Sequence, residues 1–144
     1  MEDLRQKRNA AESMTSKISV TQDYLKAEVY HRETAAETQE FLRKVAAESL
    51  ARDCSKLLIS VHDSRAIFKV QDYGISAYLE ELRSRPNYRI ALVADSDEVH
   101  AAHEYIRVLA RQYGVVLECF RDEASAVKWL RLPLSSSTPS ETRR

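Results

Sequence analysis

From Lys17 onward, apolar and polar positions alternate: Ile18 and Val20, then Leu25, Ala27 and Val29, on either side of Gln22 and Asp23. A period of two is strand periodicity, so the spacing predicts a β-hairpin or meander over 17–31. No Asn-Gly type of turn stands between the two runs to fix the turn's geometry. Thr34 followed by Glu37 is a capping-box pattern, and behind it Phe41, Leu42, Val45, Ala46 and Leu50 recur at helical spacing. A helix is predicted over 34–53. The short apolar run Leu57-Leu58-Ile59-Ser60-Val61, ending in His62-Asp63-Ser64, is a buried strand followed by a loop.

A second helix is predicted over 70–85, carried by Ile75, Tyr78, Leu79 and Leu82 and closed by Arg83, Arg85 and Pro86. Tyr88 to Ala94 is the next strand. Val99, Ala102, Ile106, Leu109, Ala110 and Tyr113 then form a third helical stripe, with Gly114 as its C-terminal glycine before a strand from Val115 to Phe120. Asp122 caps a last helix bearing Ala126, Val127, Trp129 and Leu130, and Pro133 terminates it. The order is β-β-α-β-α-β-α-β-α. Strands that alternate with helices pair in parallel through right-handed crossovers, so the fold class is α/β with a mixed sheet, an N-terminal hairpin followed by βα repeats. Residues 1–15 read as a polar tail or short helix, 16–132 as the domain, and the Ser/Thr/Pro-rich 133–144 as a disordered tail.

Composition narrows the function by exclusion. With 44% hydrophobic and 31% charged residues in 144, the chain suits one soluble globular domain that needs no metal or disulfide staple. Its 22 basic and 22 acidic residues cancel, which argues against nucleic acid or membrane insertion. Two glycines exclude a Gly-rich phosphate loop. Cys54 and Cys119 are too few and too far apart for a zinc site. No signal peptide is seen in the charged stretch from Glu2 to Arg8, so the expected compartment is the cytoplasm.

Three strands end in acid: Asp63, then Asp95 and Asp97, then Asp122. On one edge of a parallel sheet they could converge on Mg²⁺, as in a receiver-like phosphoacceptor or a small metal-dependent phosphohydrolase. The preferred reading is that each Asp caps the helix after it, Asp95 with Glu98 having capping-box spacing. The receiver pattern also lacks its acidic pair, where His31-Arg32-Glu33 stands, and its Lys, where Arg121-Asp122 stands. His100 and Glu104 share a helix face at i, i+4, which suits a solvated surface pair. His31, His62 and His103 are assigned no chemistry. Tyr78, Tyr105 and Tyr113 fall on helical faces where a core or rim role is expected, with the hydroxyl reaching water.

The two-strand start, the helix opening at Thr34, the strand ending near Asp63 and the closing Phe120-Arg121-Asp122-Glu123…Ala126…Trp129-Leu130 together resemble the STAS-like (SpoIIAA-like) superfamily, over residues 17–132. The resemblance implies strands in sequence order, helices mainly on one face, and no strand-order reversal of the kind that makes a nucleotide crevice. Anti-sigma-factor antagonists of the superfamily carry Asp-Ser-Ser-Gly at the start of the second helix, the second Ser being phosphorylated. The matching stretch here is Gln71-Asp72-Tyr73-Gly74, which keeps the Gly and lacks the phosphoacceptor serine.

The expectation is therefore a non-enzymatic regulatory or protein-interaction module without a cofactor. Its docking surface is expected at Asp63, Ser64 and Arg65 together with Gln71, Asp72, Tyr73 and Gly74. The partner is another protein, and a homodimer is compatible with the sequence. The alternative is a small-molecule or lipid carrier of Sec14-like type, which needs a sizeable apolar cavity. The expected sheet has a flat rim and no hollow that encloses a reactant.

Overall fold

The structure, a computed structural model, describes residues 14–21, 23–66, 75–83, 85 and 87–132. Five strands, β1 (Thr15–Val20), β2 (Leu25–Tyr30), β3 (Lys56–His62), β4 (Arg89–Ala94) and β5 (Val116–Phe120), form one sheet in the order β1-β2-β3-β4-β5. β1 runs antiparallel to β2 and every other pair is parallel. The helices are α1 (Ala35–Ala51), α2 (Ile75–Arg83), α3 (Asp97–Gln112) and α4 (Glu123–Leu130). Strand order and mixed pairing follow the sequence expectation.

Register explains which strands alternate and which do not. Leu25, Leu57, Ile90 and Leu117 stand in one cross-strand row, and Ala27, Ile59, Leu92 and Cys119 in the next. Those rows pack beneath Phe41, Leu42 and Val45 of α1, Leu79 and Leu82 of α2, and Val99, Ile106 and Ala110 of α3. Each large aliphatic buried there contributes about 1.5–3 kcal/mol. The opposite parity of β3 and β4 (Leu58, Ala91, Val93) is covered by Tyr24 and by Ala126 and Leu130 of α4. β4 is thus buried at every position, whereas β2 alternates buried and half-buried.

Local chemistry sets the ends of the elements. The hairpin turn is closed by Thr21, whose hydroxyl oxygen accepts the N–H groups of Asp23 at 3.1 Å and Tyr24 at 3.0 Å. Thr34 and Glu37 form the expected capping box, the Thr34 hydroxyl accepting the Glu37 N–H at 3.1 Å and the Glu37 carboxylate accepting the Thr34 N–H at 3.2 Å. Asp122 caps α4 by accepting the Ser125 N–H at 2.7 Å. Gly114, at φ +73, takes the left-handed position just after α3.

One expected cap is corrected, while residues 67–74, which precede the helix that Asp63 is expected to cap, lie outside the described residues. Ser96, not Asp95, is the N-cap of α3, its hydroxyl accepting the Val99 N–H at 3.2 Å. The Asp95 carboxylate instead accepts the Asp63 N–H at the strand ends. β1 also begins two residues earlier than the alternation suggests, and Met14 packs against the core. Of the expected tails, 1–15 and 133–144, residues 1–13 and 133–144 lie outside the described residues, Pro133 among them, and Thr15 belongs to β1.

Candidate functional site

The carboxyl ends of β2, β3 and β4 meet in one hydrogen-bonded seam. His31 at φ 59 and Asp63 at φ 45 each leave their strand through the left-handed region, which His and Asp tolerate better than most residues. The N–H of His31 donates to the His62 carbonyl at 3.1 Å, and that of Arg65 to the Arg32 carbonyl at 3.0 Å. The Ser64 hydroxyl accepts the Arg32 N–H at 3.0 Å and donates to the His62 carbonyl at 2.8 Å. A terminal guanidinium nitrogen of Arg32, itself buried, donates to the Arg65 carbonyl. Asp95 extends the seam to β4 by accepting the Asp63 N–H at 3.0 Å.

Asp63, Ser64 and Arg65 are thus brought together on a rim that projects into solvent. The Arg65 side chain is 70% exposed and lies 3.5 Å from Glu33. Gln71, Asp72, Tyr73 and Gly74 lie outside the described residues. The acids do not gather around one point: Asp97 pairs with Arg121 at 2.6 Å and Asp122 serves α4. Among the described residues, no three His, Cys, Asp or Glu side chains stand together as a metal site.

A polar face that sequence reasoning did not single out lies on the other side of β2 and β3, beyond the cover of α4. Tyr30 and His62 are paired in register and stack at 4.5 Å with 13° between their planes. Nε2 of His62 is 3.0 Å from the Ser60 hydroxyl and 3.9 Å from the Glu28 carboxylate. A Ser–His–acid relay needs the serine and the acid on opposite ring nitrogens. Here both face the same one, and Ser60 is only 2% exposed, so the trio forms a cross-strand polar ladder. Lys26 meets Glu123 at 2.8 Å, and that hydrogen bond raises its pKa. The period-two parity of Lys26, Glu28 and Tyr30 was the signal available in the sequence.

A third feature lies beneath the helices. Between the sheet and α1–α3 lies a cavity of about 60 Å³, a small hollow where none was expected. His103 and Tyr78 stand in its wall. Burial, with the Arg32 and His100 charges adding to it, pushes the His103 pKa down to about 3. Burial likewise raises the Tyr78 phenol, whose hydroxyl is buried rather than in water. His100 is half-buried, with Nε2 at 3.4 Å from Glu104, so that pair is less solvated than its spacing suggests. Of the other two helical tyrosines, Tyr105 is exposed and Tyr113 lies half-buried beneath Arg83. Cys119 is held protonated, burial pushing its thiol up to about 12.

No protein-family model matches the chain, and no curated protein does. Among solved structures it is similar to an uncharacterized protein from the DUF3478 family with a SpoIIAA-like fold, from Shewanella loihica. The TM-score is 0.50 at 20% identity, over 81% of this chain and 93% of that one. The fold is SpoIIAA-like. At that identity the likeness establishes the architecture of the SpoIIAA-like domain and leaves its activity to be argued from its own residues. Among the described residues of this SpoIIAA-like domain, no helix is long and apolar enough to cross a membrane.

Proposed function

We propose that this SpoIIAA-like domain is a non-enzymatic interaction module that docks another protein through the rim formed by Asp63, Ser64 and Arg65 and through the stretch Gln71-Asp72-Tyr73-Gly74. The observation that carries the reading is the seam: Arg32 and Ser64 hold the exposed 63–65 loop to two neighbouring strand ends. A surface loop ordered before its partner arrives loses little conformational entropy on docking. Asp63 and the Arg65–Glu33 pair give that loop mixed charge, which suits orientation of a polar protein surface. Tyr73 in place of the phosphoacceptor serine makes docking independent of a serine kinase.

A carrier of Sec14-like type needs a hollow of about 300–1,000 Å³ for a drug-sized ligand. The cavity volume of about 60 Å³ is well short of that and does not favour a lipid cargo. The docking reading is tested by affinity capture from the host lysate with wild type, Arg65→Glu and Tyr73→Ala, each checked for unchanged thermal unfolding. Loss of the same co-purifying protein from both variants is expected. Equal capture by all three would sink the reading.

A further inference from the structure

The outward face of α3 carries apolar side chains that the fold does not bury. Val99, Ala102, His103, Ile106 and Ala110 face the core, whereas Ala101, Tyr105 and Val108 are exposed on the other side. Tyr105 is 51% exposed and Val108 50%. Spacings of four and three place the three on one stripe, with Gln112 four residues further along it. A stripe of that period is the seam along which one helix packs on another.

Charge selects what lies across the seam. α3 is acidic at its start, in Asp97 and Glu98, and basic at its end, in Arg111. The Arg111 side chain is exposed and forms no ion pair among the described residues. Asp97 meets Arg121 at 2.6 Å yet is 93% exposed, so its carboxylate can accept a second partner. Asp97 and Arg111 stand two heptads apart, which puts them on the same flank of the stripe. When a two-fold axis relates two antiparallel helices, like flanks meet, and the acid of each copy lies against the base of the other. Midway along that flank, Glu104 is already paired with Arg107 of its own helix at 2.7 Å. The helix dipoles run opposed. A formal net charge of +0 adds no long-range repulsion between copies.

We infer that α3 is a self-association surface on which a second copy of this chain lays its own α3 antiparallel. Tyr105 then stands beside its counterpart at the two-fold axis, Ala101 opposite Val108, and Asp97 opposite Arg111. The small Ala101 leaves the room that Val108 fills. A contact one helix wide makes a weak, concentration-dependent dimer rather than an obligate one. None of these residues belongs to the docking rim.

The test is sedimentation velocity of the full chain over a concentration series, with thermal unfolding of each variant as the check on folding. Wild type is expected to pass from monomer to dimer as concentration rises. Val108→Glu sets a carboxylate in the seam at a position already half in water, and should weaken association at least about tenfold. Arg111→Glu and Asp97→Lys each oppose like charges at both ends, so each alone should associate less than wild type. Mixed one to one, the two should recover the dimer, and adding Val108→Glu to both should remove the recovery. Should Asp97→Lys not fold, Val108→Glu and Arg111→Glu decide alone. A wild type that stays monomeric, a dimer that Val108→Glu or Arg111→Glu leaves intact, or a mixture that stays monomeric would overturn the inference. The capture assay with the rim variants is read separately, so the docking reading fails or holds independently.

Discussion

The guanidinium of Arg89 donates to the carbonyl of Trp129 at 3.0 Å and sits 5.5 Å from the centroid of that residue's indole ring. The same nitrogen lies 3.4 Å from the Leu130 carbonyl and 2.9 Å from that of Leu132. These carbonyls belong to the end of α4 and the residues after it, where intrahelical partners run out and a cation is favoured by the helix dipole. Arg89 opens β4 with the parity of Ala91, so its side chain leaves the sheet on the α4 side. One buried cation thereby fixes the only described helix that crosses to the second face.

Arg89→Met removes these bonds while keeping much of the aliphatic stem. It should destabilise the domain by about 2–4 kcal/mol, since hydrogen bonds to charged groups are worth about 1.5–3 kcal/mol and the carbonyls lose their donor. Arg89→Lys should recover part of the loss, because an ammonium can also donate to these carbonyls but lacks the planar guanidinium that lies over the Trp129 ring. Urea denaturation of the three proteins measures this, and an unchanged midpoint for Arg89→Met would refute the role.

The strand and helix order was legible because burial differs by layer. β3 and β4 read as continuous apolar runs since both faces are covered, and β2 alternates since its second face carries Lys26, Glu28 and Tyr30. The capping box at Thr34 was legible because all its partners lie within four residues. What depended on register was not. The Tyr30–His62 stack, the Asp63–Asp95 bond and the Arg89 clasp join residues about 30–40 positions apart. Periodicity did separate His103 from His100: His103 falls on the stripe of Val99, Ala102, Ile106 and Ala110, four residues after the first and three before Ile106, and His100 falls beside it, a signal that the polarity of the imidazole hid.

The capping correction makes a sharp comparison. Ser96→Ala removes the oxygen that accepts the Val99 N–H and should cost about 1 kcal/mol of stability. Asp95→Asn retains a side-chain oxygen able to accept the Asp63 N–H and should change stability by less than about 0.5 kcal/mol. If Asp95→Asn proved the costlier of the two by chemical denaturation, Asp95 would have to be the cap after all.

Ser64 joins Arg32 to His62 through one hydroxyl, so Ser64→Ala removes two bonds of the rim at once. The Arg32 N–H should then exchange with solvent faster, while amides in the centre of β4 keep their protection. Hydrogen exchange read residue by residue distinguishes this local loosening from global destabilisation. A uniform acceleration across the sheet would mean that Ser64 supports the whole fold rather than its edge.

His103 gives the domain a directional response to acid. Its pKa falls from 6.5 in the unfolded chain to about 3 in the folded protein, because burial and the nearby Arg32 charge disfavour the imidazolium. Below pH 6.5 the unfolded state takes up a proton that the folded state refuses. Stability from this group is therefore complete above 6.5 and drains away as the pH falls towards 3, by at most about 1.4 kcal/mol per pH unit. Carboxylates add their own acid dependence only near and below their ordinary range, so between pH 6.5 and 5 comparison with the His103 variants isolates this histidine. In that interval the unfolding free energy of wild type should decline, and that of His103→Phe or His103→Gln should be flatter. Parallel profiles for wild type and both variants would show that the imidazole accepts its proton in the folded state, and so that the cavity wall is wetter than its packing indicates.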